Sequence, residues 1–407
     1  MKLNDEMVDH ILKSIPGSKR ASEGVLIPIG EGMFHIRNVY HKKELEGLSE
    51  EETGFYEFCS KKEIVRLREI SGPHDYLLRL RVMAIADAPR VRRVMASRRA
   101  KYEESGRPWS LSHFYHTKDF HHKSYIKLLE KRNQKKLKSI PSGMAYIDEV
   151  NALCIKSLAG DVILVSETLE YFYYFMSIAF YGYMYDIDPV DRVDSLIIAL
   201  RIIKGTEAFD FDIDSRGELP SKVEQTIQSL VKRQMQFTFG HEYAHYLCNH
   251  IPEADFLMKM NGAASYLNDL ALYSHELEYE ADYYSLINIE IKKNDFEEVT
   301  QGAFSTLIYL HFVEQHGHIF GSSSFSVSET HPAARDRIYK LLESLGHHAP
   351  VEKSTVDEMF LVANELSELL TLRIDALKDQ YDDLFGFYGS IYLPSYKKKR
   401  MKDRVDF

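Results

Sequence analysis

Two histidines four residues apart, His241 and His245, lie in a run from Ser221 to His250 whose pattern is helical, with Pro220 and Ser221 suited to its start. Residues i and i+4 share one face of an α-helix, so the pair constrains local fold and chemistry together. His241-Glu242-Tyr243-Ala244-His245 has the form HExxH. Two imidazoles on one face grip a single metal ion, and the glutamate beside the first is placed to take a proton from water on that ion. Five residues are few enough to arise by chance, so the assignment rests on what accompanies them.

A catalytic zinc takes three protein ligands and keeps one position open. The stretch His275-Glu276-Leu277-Glu278-Tyr279-Glu280-Ala281-Asp282 offers the third. Glu278 and Asp282 are again i and i+4 on a helical pattern. Glu278 is expected to ligate, and Asp282 to accept a hydrogen bond from the free ring nitrogen of a liganding histidine, which fixes that ring's tautomer. Glu276 and Glu280 are expected as solvated charges, and stand as replacements should Glu278 not ligate.

HExxH followed by Glu278-Tyr279-Glu280-Ala281-Asp282 resembles the minigluzincin zinc metallopeptidases, whose best-known members are the CAAX prenyl endopeptidases and the heat-shock membrane peptidases. Asn151-Ala152 followed by Gly160-Asp161-Val162-Ile163-Leu164-Val165 is similar to that family's cleft-edge segment. His250 is similar to its extra histidine, and Thr330-His331-Pro332 with Arg337-Ile338 to its HPxxxxRI signature. These matches span about residues 145 to 345 in family order. Instead of the membrane members' long insert, the gap between HExxH and Glu278 holds about one helix. It therefore looks more like soluble relatives, the ImmA/IrrE-type regulatory proteases or Lit-like phage-exclusion proteases, although Ala281-Asp282 replaces their usual Ala-Asn.

The resemblance implies one zinc per chain on His241, His245 and Glu278, with Glu242 as general base and then acid. It implies His331 at the oxyanion, Arg337 holding the local structure, and Val162, Ile163, Leu164 and Val165 as an edge strand that binds an extended peptide by β-augmentation. Further histidines at 113, 116, 121 and 122 fit no common metal spacing and are expected as a solvated basic loop.

The expected fold is α+β and predominantly helical: a metallopeptidase core over 141–346, an accessory region over 1–140 containing a long basic helix from Leu77 to Glu104, and a C-terminal helical extension over 347–407. Pro141-Ser142-Gly143 is the candidate boundary. Val25–Ile29 and Met33–Val39 around Gly30-Glu31-Gly32 resemble a hairpin. Helical patterns also cover Phe256–Leu272 and Asp357–Phe385, before a basic tail at Lys397–Arg400. The uncharged run Tyr171–Tyr185 is shorter than the roughly 20 residues that span a bilayer, and is expected as a buried helix with no membrane anchor. Three scattered cysteines, Cys59, Cys154 and Cys248, are expected as reduced thiols in a cytoplasmic protein.

The net charge of −10 argues against a general nucleic-acid binder. It is unevenly spread: Arg90–Lys138 holds 15 Lys and Arg against 4 Asp and Glu, a local balance of +11 that leaves −21 elsewhere. That segment either faces an acidic body or docks a polyanion. The expectation is thus a narrow-specificity regulatory or defence endopeptidase acting on a protein substrate. The alternative is a non-catalytic zinc-fold sensor module, associated with nucleic acid through residues 90–138.

Overall fold

The computed structural model describes the chain except positions 1, 2, 4, 23, 30, 31, 37–47, 119, 148, 149, 158, 251–274, 290–292, 321–331, 382 and 397–407. It packs as two compact units, Met1–Phe58 and Cys59–Phe407, and is mostly helical with small sheets. The first unit holds helix α1 (Asp5–Ser14), strands β1 (Lys19–Arg20), β2 (Val25–Ile29) and β3 (Gly32–Ile36), and helix α2 (Glu50–Phe55). β2 and β3 pair antiparallel from Val25↔Ile36 to Ile29↔Gly32, the hairpin expected there.

The second unit runs through α3 (Lys61–Glu69), α4 (Pro73–Ala86), α5 (Pro89–Glu104), α6 (Leu111–Lys118), α7 (Phe120–Ile126) and α8 (Lys131–Leu137). Next come β4 (Ser142–Ala145), β5 (Ala152–Ser157), β6 (Gly160–Ser166), α9 (Glu167–Tyr181) and α10 (Pro189–Lys204). It continues with α11 (Ser221–Leu247), α12 (His275–Ile287), α13 (Lys293–Gln315), α14 (Ala334–Leu345) and α15 (Lys353–Leu377). The single helix expected over Leu77–Glu104 is two helices. Pro89 lacks an N–H and pushes Ala88 out of the helical region, to φ −119° and ψ 99°, so the chain restarts with Pro89 in the first turn of α5. The expected boundary at Pro141-Ser142-Gly143 leads into the buried strand β4.

The strand order is β4-β6-β5, and this corrects the expected edge strand. β6 is central. β4 pairs parallel with it from Ser142↔Ile163 to Ala145↔Ser166, and β5 pairs antiparallel from Ala152↔Val165 to Ser157↔Gly160. Val162, Ile163, Leu164 and Val165 are each at most 1% exposed. Their unbroken apolar run has a physical reason: a strand covered on both faces needs no alternation. The outer strands are β4 and β5, and β5 packs against α11.

The aromatic run expected as a buried helix forms α9, with Phe172, Tyr173, Phe175, Met176 and Phe180 inside the core. No described helix is long and apolar enough to cross a membrane. α9 packs on α10, while α11 packs on α9, α12 and α13. A Cβ on Gly302 would stand 2.7 Å from the Arg233 carbonyl carbon, so α13 meets α11 nearly backbone to backbone. Gly240 plays the same part toward α7, where a Cβ would lie 2.7 Å from the Tyr125 ring. The Tyr125 hydroxyl donates to the Ser285 carbonyl at 2.7 Å and so ties α12 to the same point.

Candidate metal centre

α11 presents His241 and His245 one turn apart, and α12 brings Glu278 against them. The two Nε2 atoms are 3.0 Å apart. Glu278 Oε2 stands 3.5 Å from His241 Nε2, and Oε1 stands 3.5 Å from His245 Nε2. Donors on a tetrahedron at zinc bond lengths of about 2.0–2.1 Å lie roughly 3.4 Å from one another. The triangle therefore has the size of one face of such a tetrahedron. Among the described residues, these three form a group able to hold a metal ion. Glu278 and His245 are buried, whereas the His241 side chain keeps 12% of its surface exposed.

The rings are aimed from behind. Asp282 Oδ1 lies 2.9 Å from His241 Nδ1. A carboxylate accepts only, so Nδ1 carries the proton and Nε2 is left to ligate. Arg337, from α14, donates to both Asp282 oxygens, from Nε at 2.8 Å and Nη2 at 2.6 Å, and its Nη1 is 3.5 Å from Glu278 Oε2. This buried guanidinium holds the Asp282 carboxyl below the usual carboxylate range against the opposing effect of burial. Burial also opposes charge on His241, but Asp282 and Glu278 outweigh it and hold that ring's pKa at about 10. His245 is pushed down to about 4, first by burial and then by neighbouring His241 and His250. One ring thus carries the positive charge that the paired carboxylates attract, where a divalent ion would replace its proton.

His245 has an orienter that sequence reasoning missed. Sequence alone ties His250 to no partner and leaves Glu280 a solvated charge. Glu280 is exposed, as expected, but His250 is buried, with Nδ1 3.0 Å from His245 Nδ1 and Nε2 3.0 Å from Glu280 Oε2. Local backbone explains this. α11 ends with Asn249 in the left-handed region at φ 57°, the His250 N–H donates to the His245 carbonyl at 2.9 Å, and the Asn249 N–H to the Tyr246 carbonyl at 3.2 Å. That is a Schellman stop, which folds the residue after the turn back onto the last helical turn. Asn at the end of the helical pattern was the available signal.

Glu242 is buried beside His241, and its charge raises the buried Cys154 thiol on β5 after burial itself. His331 lies outside the described residues, as do the helix expected over Phe256–Leu272 and the tail at Lys397–Arg400. The segment after His331 is anchored, because Glu314 accepts the Ala334 N–H at 3.0 Å. Of the four upstream histidines, His121 and His122 are buried on α7, His121 bonded to Glu170 at 3.0 Å, while His113 and His116 are exposed on α6. Two helices replace the expected loop, and the four do not converge as a ligand group among the described residues.

Residues 210–355 match the Peptidase U49 family, a window that contains α11 to α14 and therefore every side chain of the centre. The match supports peptidase activity in general. No curated protein and no solved structure matches the chain.

Proposed function

We propose that the chain is a zinc-dependent endopeptidase with a minigluzincin-type core, cutting a specific protein substrate. The observation that carries this reading is the convergence of His241, His245 and Glu278 at 3.0–3.5 Å, each histidine with its second nitrogen engaged. Two imidazoles and one carboxylate are the donor set of a catalytic rather than a structural zinc, which would be closed by a fourth side chain. When bound, zinc supplies Lewis acidity to the scissile carbonyl and to the attacking water.

The protein does the rest. Glu242 takes the proton from the attacking water and delivers it to the leaving nitrogen. Asp282 and the His250–Glu280 pair keep the two rings in the ligating tautomer, and Arg337 compensates the clustered carboxylates. β5, an outer strand lying on α11 with Cys154 near Glu242, takes over from β6 as the rail for an extended substrate. His331 is proposed to face the developing oxyanion. The helices of residues 59–140 and α15 lie outside the motif-bearing segment and select the substrate.

The purified full chain should contain one zinc by elemental analysis. In a Cys248→Ala background, Glu278→Gln and His241→Ala should each lose it, whereas Glu276→Gln, on an exposed residue of the same helix, should not. Full zinc in both ligand variants would dismiss the proposal.

A further inference from the structure

Beyond the catalytic centre, α11 and α12 hold a second convergence. Cys248, His250 and Glu280 each direct one ligand atom to within 4.8 Å of the others. We propose that they form a second site for a thiophilic divalent cation such as zinc, and that filling it weakens metal binding at His241, His245 and Glu278. The inference rests on the zinc reading above, because the two sites share the His245–His250 ring pair.

The donor set is thiolate, imidazole and carboxylate, all of which zinc accepts. Access differs from that of the inner centre. The Glu280 side chain is 43% exposed and Cys248 is partly exposed, so an ion enters from solvent and water completes its coordination. The His250 side chain is only 3% exposed, which gives the site a fixed anchor. Cys248 would bind as the thiolate, its proton passing to solvent.

The antagonism follows from the hydrogen bond that joins the two Nδ1 atoms. With the inner metal on His245 Nε2, His245 Nδ1 carries the proton and donates to His250 Nδ1 across 3.0 Å. His250 then carries its own proton on Nε2, directed at Glu280 Oε2. A cation shared with Glu280 needs the His250 Nε2 lone pair, which moves that proton to Nδ1. There it must donate to His245 Nδ1, and the His245 proton shifts to Nε2, the atom the inner metal needs. One orientation of the ring pair serves the inner site and the opposite one serves the outer site. Coupling through such a two-state element is of the order of 5–150-fold in affinity.

The test is a cobalt titration of the chelator-stripped full chain. Thiolate-to-cobalt charge transfer absorbs in the near ultraviolet and reports only the Cys248 site. The inner centre has no sulfur and shows only weak visible bands. In the wild type the visible bands should saturate first, with the near-ultraviolet band rising at higher cobalt. In His241→Ala, and independently in Glu278→Gln, that band should rise at roughly 5–150-fold lower cobalt. Cys248→Ala should abolish it while keeping the first equivalent. Visible bands with no near-ultraviolet band would overturn the second site and leave the zinc reading standing. Equal midpoints in the wild type and both ligand variants would overturn the antagonism. A chain that binds no cobalt would remove the zinc reading, and the coupling with it.

Discussion

Asp282 is the residue through which most of the centre's order passes, since it accepts from His241 and twice from Arg337. Replacing its charge without changing its shape separates orientation from ligation. Asp282→Asn should keep the fold yet lower zinc affinity roughly 10–100-fold, measured by chelator competition. An unchanged affinity would mean that the His241 tautomer is set elsewhere. Glu278 and Asp282 were legible in sequence because one helical turn separates them and both face His241. His250 was not, because five residues is no helical spacing. Only the left-handed turn at Asn249 returns it to His245. Glu280 is exposed as expected, and its bond to His250 was illegible for the same reason.

At the scale of elements, one carboxylate serves two helices. Glu63 accepts the Ser60 N–H at 2.7 Å, closing the capping box of α3, and also the Ser112 N–H at 2.7 Å and the Ser110 hydroxyl at 2.9 Å at the start of α6. Burial opposes its charge, but these donors prevail and hold it below its ordinary 4.5. A depressed carboxyl contributes stability above the unfolded-state value, which is lost as pH falls through the folded one. Glu63→Gln should therefore cost about 1.5–3 kcal/mol at pH 7 and flatten the loss of stability below pH ~4.5, by urea unfolding across pH. An equally steep acid limb in the variant would refute this.

Gly240→Ala places a methyl against the Tyr125 ring that ties α12 down. It should cost roughly 1–3 kcal/mol by overpacking and weaken zinc as Glu278 shifts. A variant with wild-type stability and zinc affinity would show that α12 is held by other contacts. α11 starts at Ser221, as its helical pattern indicated, and stops three residues before the expected His250, whereas the central place of β6 was not legible. The apolar run of four from Val162 to Val165 says that a strand is covered, and leaves open which neighbours cover it.

Across the whole molecule, the segments flanking the centre are built into its unit. Buried Glu207 bonds Arg201 at 2.9 Å and Arg216 at 2.8 Å, and Arg201 donates to the Leu384 and Phe387 carbonyls. Arg373 on α15 grips Asp194 on α10 with two bonds of 2.8 Å. Part of the basic excess in residues 90–138 is neutralised in the same way. Arg98 is buried against Glu167 and Asp212, and Arg90 donates to the Gly205 carbonyl. Charge asymmetry in the sequence thus marked, in these residues, a basic layer against an acidic one.

We propose that this buried centre hydrolyses peptide bonds and that Glu242 moves the proton. Comparing new protein N-termini in cells expressing the wild type or Glu242→Gln, with zinc content measured in both proteins, tests it most directly. Equal zinc in the two proteins and a small set of N-termini present only with the wild type are expected. The same N-termini at the same abundance with Glu242→Gln would contradict it.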